Sequence, residues 1–181
     1  QDMYLTGNPQ ITFFKSVYRR HTNFSIESIN QTLTGTSDFG GSLKAILSRA
    51  GDLIHKMYLE IPLPSIDLVD GLQSSHAVAF RWLNWIGHIL VKEVKITIGG
   101  QEIDKQNGEF LEIISQLNLK DGKYTAYSNL IGNNTLSSTD NSDSIKSQLL
   151  YIPLNFWFCK DLGVSLPIVA MQQETIKIKF T

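Results

Sequence analysis

The residues of this chain that could do chemistry are four histidines, seventeen carboxylates, one cysteine and three tryptophans. His21, His55, His76 and His88 are scattered, and none stands in the His-x-His plus Glu spacing with which a metal-binding cupin wraps a cation. His55 falls on the inward face of an alternating stretch and reads as a core histidine. Cys159 has aromatic neighbours and no local signature of a catalytic thiol, so it reads as a small buried residue. Glu102, Asp104 and Glu109 lie close in sequence, on a predicted hairpin followed by a helix. They are most simply a solvated or intersubunit face; a glycosidase pair stays open at this point, because it is defined by separation in space, which sequence does not fix. No Gly-x-Ser-x-Gly elbow occurs, and Gly99-Gly100 lacks the spaced glycines, the Lys-Ser/Thr pair and the following helix of a phosphate loop. Trp82 and Trp85 could stack on a sugar, but their helical spacing assigns them to plugging a sandwich edge. No catalytic residue, cofactor or metal is therefore expected, and neither is enzymatic activity. The alternative class is a β-sandwich carbohydrate-binding module built on Trp82, Trp85 or a long polar loop.

Charge sharpens this. The chain has 181 residues and a net charge of −1, against a protein that coats nucleic acid by neutralising phosphates. No direct nucleic-acid partner is expected, and Arg19-Arg20-His21 reads as the positive end of a helix or a subunit contact. Hydrophobic residues make up 42% and charged residues 18%, which fits one globular domain with a substantial core. A single cysteine leaves no internal disulfide and fits assembly in a reducing cytoplasmic compartment. No signal peptide is expected before Gln1, and no stretch approaches the roughly 18 apolar residues of a membrane span. Three Asn-x-Ser/Thr triplets begin at Asn23, Asn30 and Asn133. Only Asn133, in a polar loop, is a candidate for glycosylation, and even there no modification is favoured.

The elements that would position these groups follow from periodicity. Asn8 can cap a short helix with Pro9 in its first turn, and Ile11, Phe14 and Tyr18, with Phe13 and Val17 beside them, make one apolar face. Residues 24–33 suggest a strand. Leu43, Ala45 and Leu47 share one face of another, and 53–61 one more that Pro62 and Pro64 end. A turn at residues 50–52 would join these last two as a hairpin. Helical spacing covers 76–89, and 90–104 reads as a hairpin turning on Gly99-Gly100, where both residues can take positive φ. A helix is predicted over 109–117, a polar loop over 118–147 and an apolar strand over 149–158. The last stretch, 166–180, is extended, with Ile176, Ile178 and Phe180 inward. Short strands of mixed burial joined by hairpins and long loops indicate an antiparallel sandwich.

Residues 4–24, Tyr-Leu-Thr-Gly-Asn-Pro-Gln-Ile-Thr-Phe-Phe-Lys-Ser-Val-Tyr-Arg-Arg-His-Thr-Asn-Phe, resemble the amino-terminal signature of the double jelly-roll major capsid proteins of nucleocytoplasmic large DNA viruses. Ile98 to Lys105 and Leu166 to Gln172 resemble later segments of that family in the same order. The resemblance implies an all-β fold, an antiparallel jelly-roll β-sandwich of two facing four-stranded sheets, with short helical insertions and an N-terminal helical arm. It implies an arm over 1–23 and a first jelly roll over 24–181, with the family's closing strand and second jelly roll not expected within this chain. It further implies a structural role in the virion: homotrimeric, pseudo-hexagonal capsomers tiling an icosahedral shell. Neighbouring capsomers, minor capsid proteins and an internal viral membrane would be the partners. Asn8, Pro9, Phe13, Phe14, Tyr18, Arg19 and Arg20 are then the expected assembly residues, and 119–147 an exposed loop.

Overall fold

The computed structural model describes residues 23–67, 82–133 and 144–181. The expected helical arm, with Asn8, Pro9, Phe13, Phe14, Tyr18, Arg19 and Arg20, lies outside them. The chain divides into two units, Gln1–Asn30 and Gln31–Thr181. Of the first, residues 23–30 are described, and they form neither helix nor strand. The strand expected over 24–33 is therefore absent, and the first strand is β1 (Thr34–Gly35). The apolar alternation breaks between Ile26 and Ile29, so no single face of that segment could be buried.

In the second unit the largest sheet has five antiparallel strands in the order β1, β2 (Leu43–Ile46), β11 (Ile176–Phe180), β6 (Val94–Ile98), β7 (Gln101–Gln106). The alternation in β11 holds: Ile176, Ile178 and Phe180 are buried while Lys177 and Lys179 are exposed. β6 and β7 form the expected hairpin, with Gly99 at φ 59° and Gly100 at φ 87°. β11 is hydrogen-bonded on both flanks, so the last strand lies inside this sheet and leaves no open edge there.

The facing layer is built from one extended run. β3 (Leu53–Ile54), β4 (Tyr58–Leu63) and β5 (Ile66–Asp67) pair in turn with β10 (Leu166–Pro167), β9 (Gln148–Pro153) and β8 (Ser144–Ile145). Pro62 does not end β4 but sits within it opposite Leu149. Proline is tolerated because β4 has β9 as its one ladder partner among the described residues. The hairpin expected between residues 42–48 and 53–61 does not form. β2 pairs with β1 and β11, and the chain then crosses to the other layer. Both segments have an apolar face, and placing them on opposite layers lets those faces meet across one core.

That core joins Val94, Ile96 and Ile178 of the sheet to Leu59, Ile152, Leu154, Phe156 and Phe158. Phe156 stacks on Phe158 at 5.6 Å, and Trp157 meets Phe158 edge-on at 5.0 Å. The apolar strand predicted over 149–158 stops at Pro153, and Trp157–Cys159 is a 3-10 turn. The extended stretch predicted over 166–180 is likewise interrupted, by a 3-10 turn at Ile168–Ala170.

Among the described residues three α-helices complete this unit: α1 (Ile86–Leu90), α2 (Gly108–Asn118) and α3 (Tyr124–Ile131). α2 matches the expected helix. The helix expected over 76–89 is shorter, because Trp85 at φ 61° is left-handed and stops it; 76–81 lie outside the described residues. Its buried residues are Ile86, Gly87 and His88, whereas Ile89 is exposed. Gly87 sets the orientation, since a Cβ there would lie 2.9 Å from the carbonyl of Ile131.

Candidate assembly surface

α2 begins where Asn107 caps it, its Oδ1 accepting from the backbone N–H of Phe110 at 2.8 Å. Glu109 in the first turn complements the helix dipole. Leu111 and Ser115 are buried. On other faces of the helix Phe110, Ile113 and Leu117 follow at i, i+3 and i+7 and are 40%, 57% and 75% exposed. A helix of one domain normally turns one apolar stripe inward and a polar face to water. α2 has a second apolar stripe, in water.

A polar clamp holds this helix in place. His88 of α1 is 2% exposed; its Nδ1 lies 2.7 Å from Glu112 Oε2 of α2 and its Nε2 lies 3.0 Å from the Tyr127 hydroxyl of α3. Trp85 stacks on the same imidazole at 6.1 Å. Burial pushes the Tyr127 hydroxyl up to about 12, against a hydrogen bond with Ser115 that lowers it and the Glu112 charge that raises it further. A phenol with that pKa stays protonated at neutral pH and donates. It can donate to His88 Nε2 while Nδ1–H donates to Glu112. Both ring nitrogens are then engaged, so this array joins three helices.

The other sequence candidates fall apart in space. Glu102 pairs with Lys95 at 3.2 Å, Asp104 accepts from Gln106 Nε2 at 3.1 Å, and Glu109 serves the start of α2. His55 is half-buried between strands, not on an inward strand face. Burial raises the Cys159 thiol from 9.0 to about 11, partly offset by backbone hydrogen bonds from Met57 and Phe156 and by the Lys56 charge. A thiol held there is protonated and a poor nucleophile. Among the described residues no three His, Cys, Asp or Glu side chains converge to hold a metal. No helix among them is long and apolar enough to cross a membrane.

Trp82 packs against the small apolar cluster of Leu63, Ile86 and Leu150. Trp85 borders a cleft of about 170 Å³ with Leu119, Lys120 and Tyr124, smaller than the roughly 300 Å³ at which ligand pockets begin. One face of that indole is already taken by His88. Asn133 is half-buried, and its Nδ2 donates to the Tyr124 hydroxyl at 3.2 Å; the next two residues of its triplet lie outside the described residues.

The loop expected over 119–147 contains α3, in which Ser128 and Ile131 are buried. The signal was present in sequence: Tyr124, Ser128 and Ile131 recur at helical spacing, and Gly132, at φ 75°, closes the helix.

Residues 12–181 match the family model described as the major capsid protein N-terminus. This chain belongs to that family. It is 47% identical over 180 residues to probable capsid protein 4 of Acanthamoeba polyphaga mimivirus, covering 98% of this chain and 35% of that relative. Against the major capsid protein of Phaeocystis pouchetii virus it is 41% identical over 200 residues, covering 98% and 38%. Its fold superposes on a chain in a quasi-atomic model of the PBCV-1 virus capsid with a TM-score of 0.72 at 32% identity, covering 94% of this chain and 37% of that one. The antiparallel jelly-roll reading is thereby borne out, but not the two four-stranded sheets: one layer has five strands and the other three two-stranded ladders among the described residues. This chain spans little more than a third of the length of these relatives.

Proposed function

We propose that this chain is the first jelly-roll domain of a major capsid protein and serves as a structural block of an icosahedral virion shell, without enzymatic activity. The observation that carries the reading is the likeness, along 94% of the chain, to a capsid chain of PBCV-1. The role follows from geometry. A rigid sandwich offers side faces to its neighbours, and the exposed stripe Phe110–Ile113–Leu117 is an apolar surface that a neighbour would cover. The full product, with a second jelly roll beyond Thr181, forms homotrimeric capsomers of pseudo-hexagonal outline, and many weak repeated contacts add up across the shell. The arm over 1–23, through Asn8, Pro9, Phe13, Phe14, Tyr18, Arg19 and Arg20, meets neighbouring capsomers, minor capsid proteins or an internal membrane. Assembly takes place in the reducing cytoplasm of the infected host cell.

Electron microscopy and sedimentation of the natural full-length product test this. Trimeric particles with a hexagonal outline are expected, and a strictly monomeric species at micromolar concentration would overturn the reading.

A further inference from the structure

The outer face of the five-stranded sheet carries lysines in register. Lys44 of β2 opposes Lys179 of β11, Lys179 opposes Lys95 of β6, and Lys95 opposes Lys105 of β7. Adjacent strands lie about 4.8 Å apart, so four ammonium groups form a row roughly 14 Å long. Lys177 lies two residues from Lys179 on the same exposed face. Like charges directly opposite each other weaken a sheet, so the row does not serve the sheet's own stability.

Its two halves differ. Lys105 is 2.7 Å from Glu93, and Lys95 is 3.6 Å from Glu93 and 3.2 Å from Glu102. Lys44, Lys177 and Lys179 are exposed and make no ion pair among the described residues. The uncompensated charge thus stands at the middle of the sheet, on β2 and the central strand β11. Solubility alone is served by interspersed signs and does not call for one sign in register.

We propose that this face docks an acidic sheet face of another capsid domain, with carboxylates on neighbouring strands meeting Lys44, Lys177 and Lys179; this rests on the capsid reading above. A second sheet repeats its cross-strand side chains at the same spacing of about 4.8 Å, so it can answer the row one charge for one. Ile46, beside Lys177 in the register and exposed, adds an apolar contact at the same place. The same face of a second copy is excluded, since two lysine rows repel, and that repulsion makes the docking directional.

The test uses the full-length product. Zero-length carbodiimide cross-linking of assembled particles, read by mass spectrometry, should join Lys44, Lys177 or Lys179 to aspartate or glutamate outside this sheet. The triple reversal K44E/K177E/K179E should weaken assembly at least about tenfold, and lysines placed at the cross-linked carboxylates should restore it. The arginine triple variant should assemble like the wild type. If particles form while these lysines are acetylated as fast as in dissociated subunits, this proposal falls and the capsid reading stands. If duplex DNA or phosphatidylserine vesicles bind the wild type but not the triple reversal, with assembly unchanged, the partner is a phosphate surface and the proposal is overturned. A wild-type product that never assembles would overturn both.

Discussion

The stripe on α2 and the lysine row on the five-stranded sheet are both unfinished surfaces, and they are unfinished in opposite ways. Among the described residues, Phe110, Ile113 and Leu117 lack an apolar cover, whereas Lys44, Lys177 and Lys179 lack countercharge. The stripe would contribute affinity with little orientation, because burial of apolar area is non-directional. The row would contribute orientation and selection with less affinity, because exposed charges are screened by salt and by water. The supports differ as well. The stripe stands on a helix held by a polar clamp at His88, and the row on strands whose inner faces are closed by Val94, Ile96 and Ile178. An assembly built from both would be tight through one and correctly aligned through the other.

The largest expected effect removes that distinction. Phe158 is fully buried against Phe156 and Trp157. Phe158→Ala should cost about 3–5 kcal/mol and loosen the sheet and the helices together. Chemical denaturation should show one transition moved as a whole; an unchanged midpoint would mean the core is divided differently. His88→Ala should cost less, about 1–3 kcal/mol, because it leaves Glu112 and Tyr127 without their shared partner. Its signature is local. Hydrogen exchange should quicken in α1, α2 and α3 while β6 and β11 stay protected, and equal acceleration in both regions would contradict a separate clamp.

Substitution on the stripe sharpens the contrast from the other side. Ile113→Ser with Leu117→Ser should leave the stability of the isolated subunit within about 0.5 kcal/mol, since both positions are exposed. It should weaken self-association of the full-length product with little change in its salt dependence, whereas charge reversal on the lysine row should alter that dependence. Sedimentation across a salt series separates the two, and identical salt responses would collapse them into one surface.

Local signals carried much of the fold, and non-local ones little. The alternation of β11, the Gly99-Gly100 turn and the α2 stripe could be read from neighbouring residues alone. The crossing between β2 and β3 could not, because a turn signal states where the chain bends and not which layer receives it. α3 was hidden by its polar composition, although its spacing and Gly132 mark it. The His88 clamp joins residues 24 and 39 positions apart, and the lysine row joins the β6–β7 hairpin to β2 and β11, which lie far from it and from each other in sequence. Such constellations exist only once register is known, whereas the compact motifs of the arm and the Trp82 and Trp85 pair stand in neighbouring residues.

The smallest expected effect lies within the row, between its compensated and uncompensated halves. Glu93 is held below its ordinary 4.5, first by its hydrogen bond with Lys105 and then by the charges of Lys105 and Lys95, against some desolvation. Lys95 is held above 10.5, first by its hydrogen bond and ion pair with Glu102 and then by Glu93, again against desolvation. A carboxylate with a lowered folded pKa contributes stability that is present above the unfolded value and lost as pH falls through the folded one. A raised lysine contributes below 10.5 and loses that contribution as pH rises through its folded value. The ladder is therefore at full strength between 4.5 and 10.5. Glu93→Gln should destabilise slightly near neutral pH, and the gap from wild type should close as acid protonates Glu93 and as salt screens the ladder. A gap that stays constant from roughly pH 7 down to pH 3 would mean that Glu93 acts through packing and not through charge. Lys44→Gln should show no such loss, because among the described residues it has no ion pair to give up. Relief of its repulsion with Lys179 should leave the sheet as stable or slightly more so.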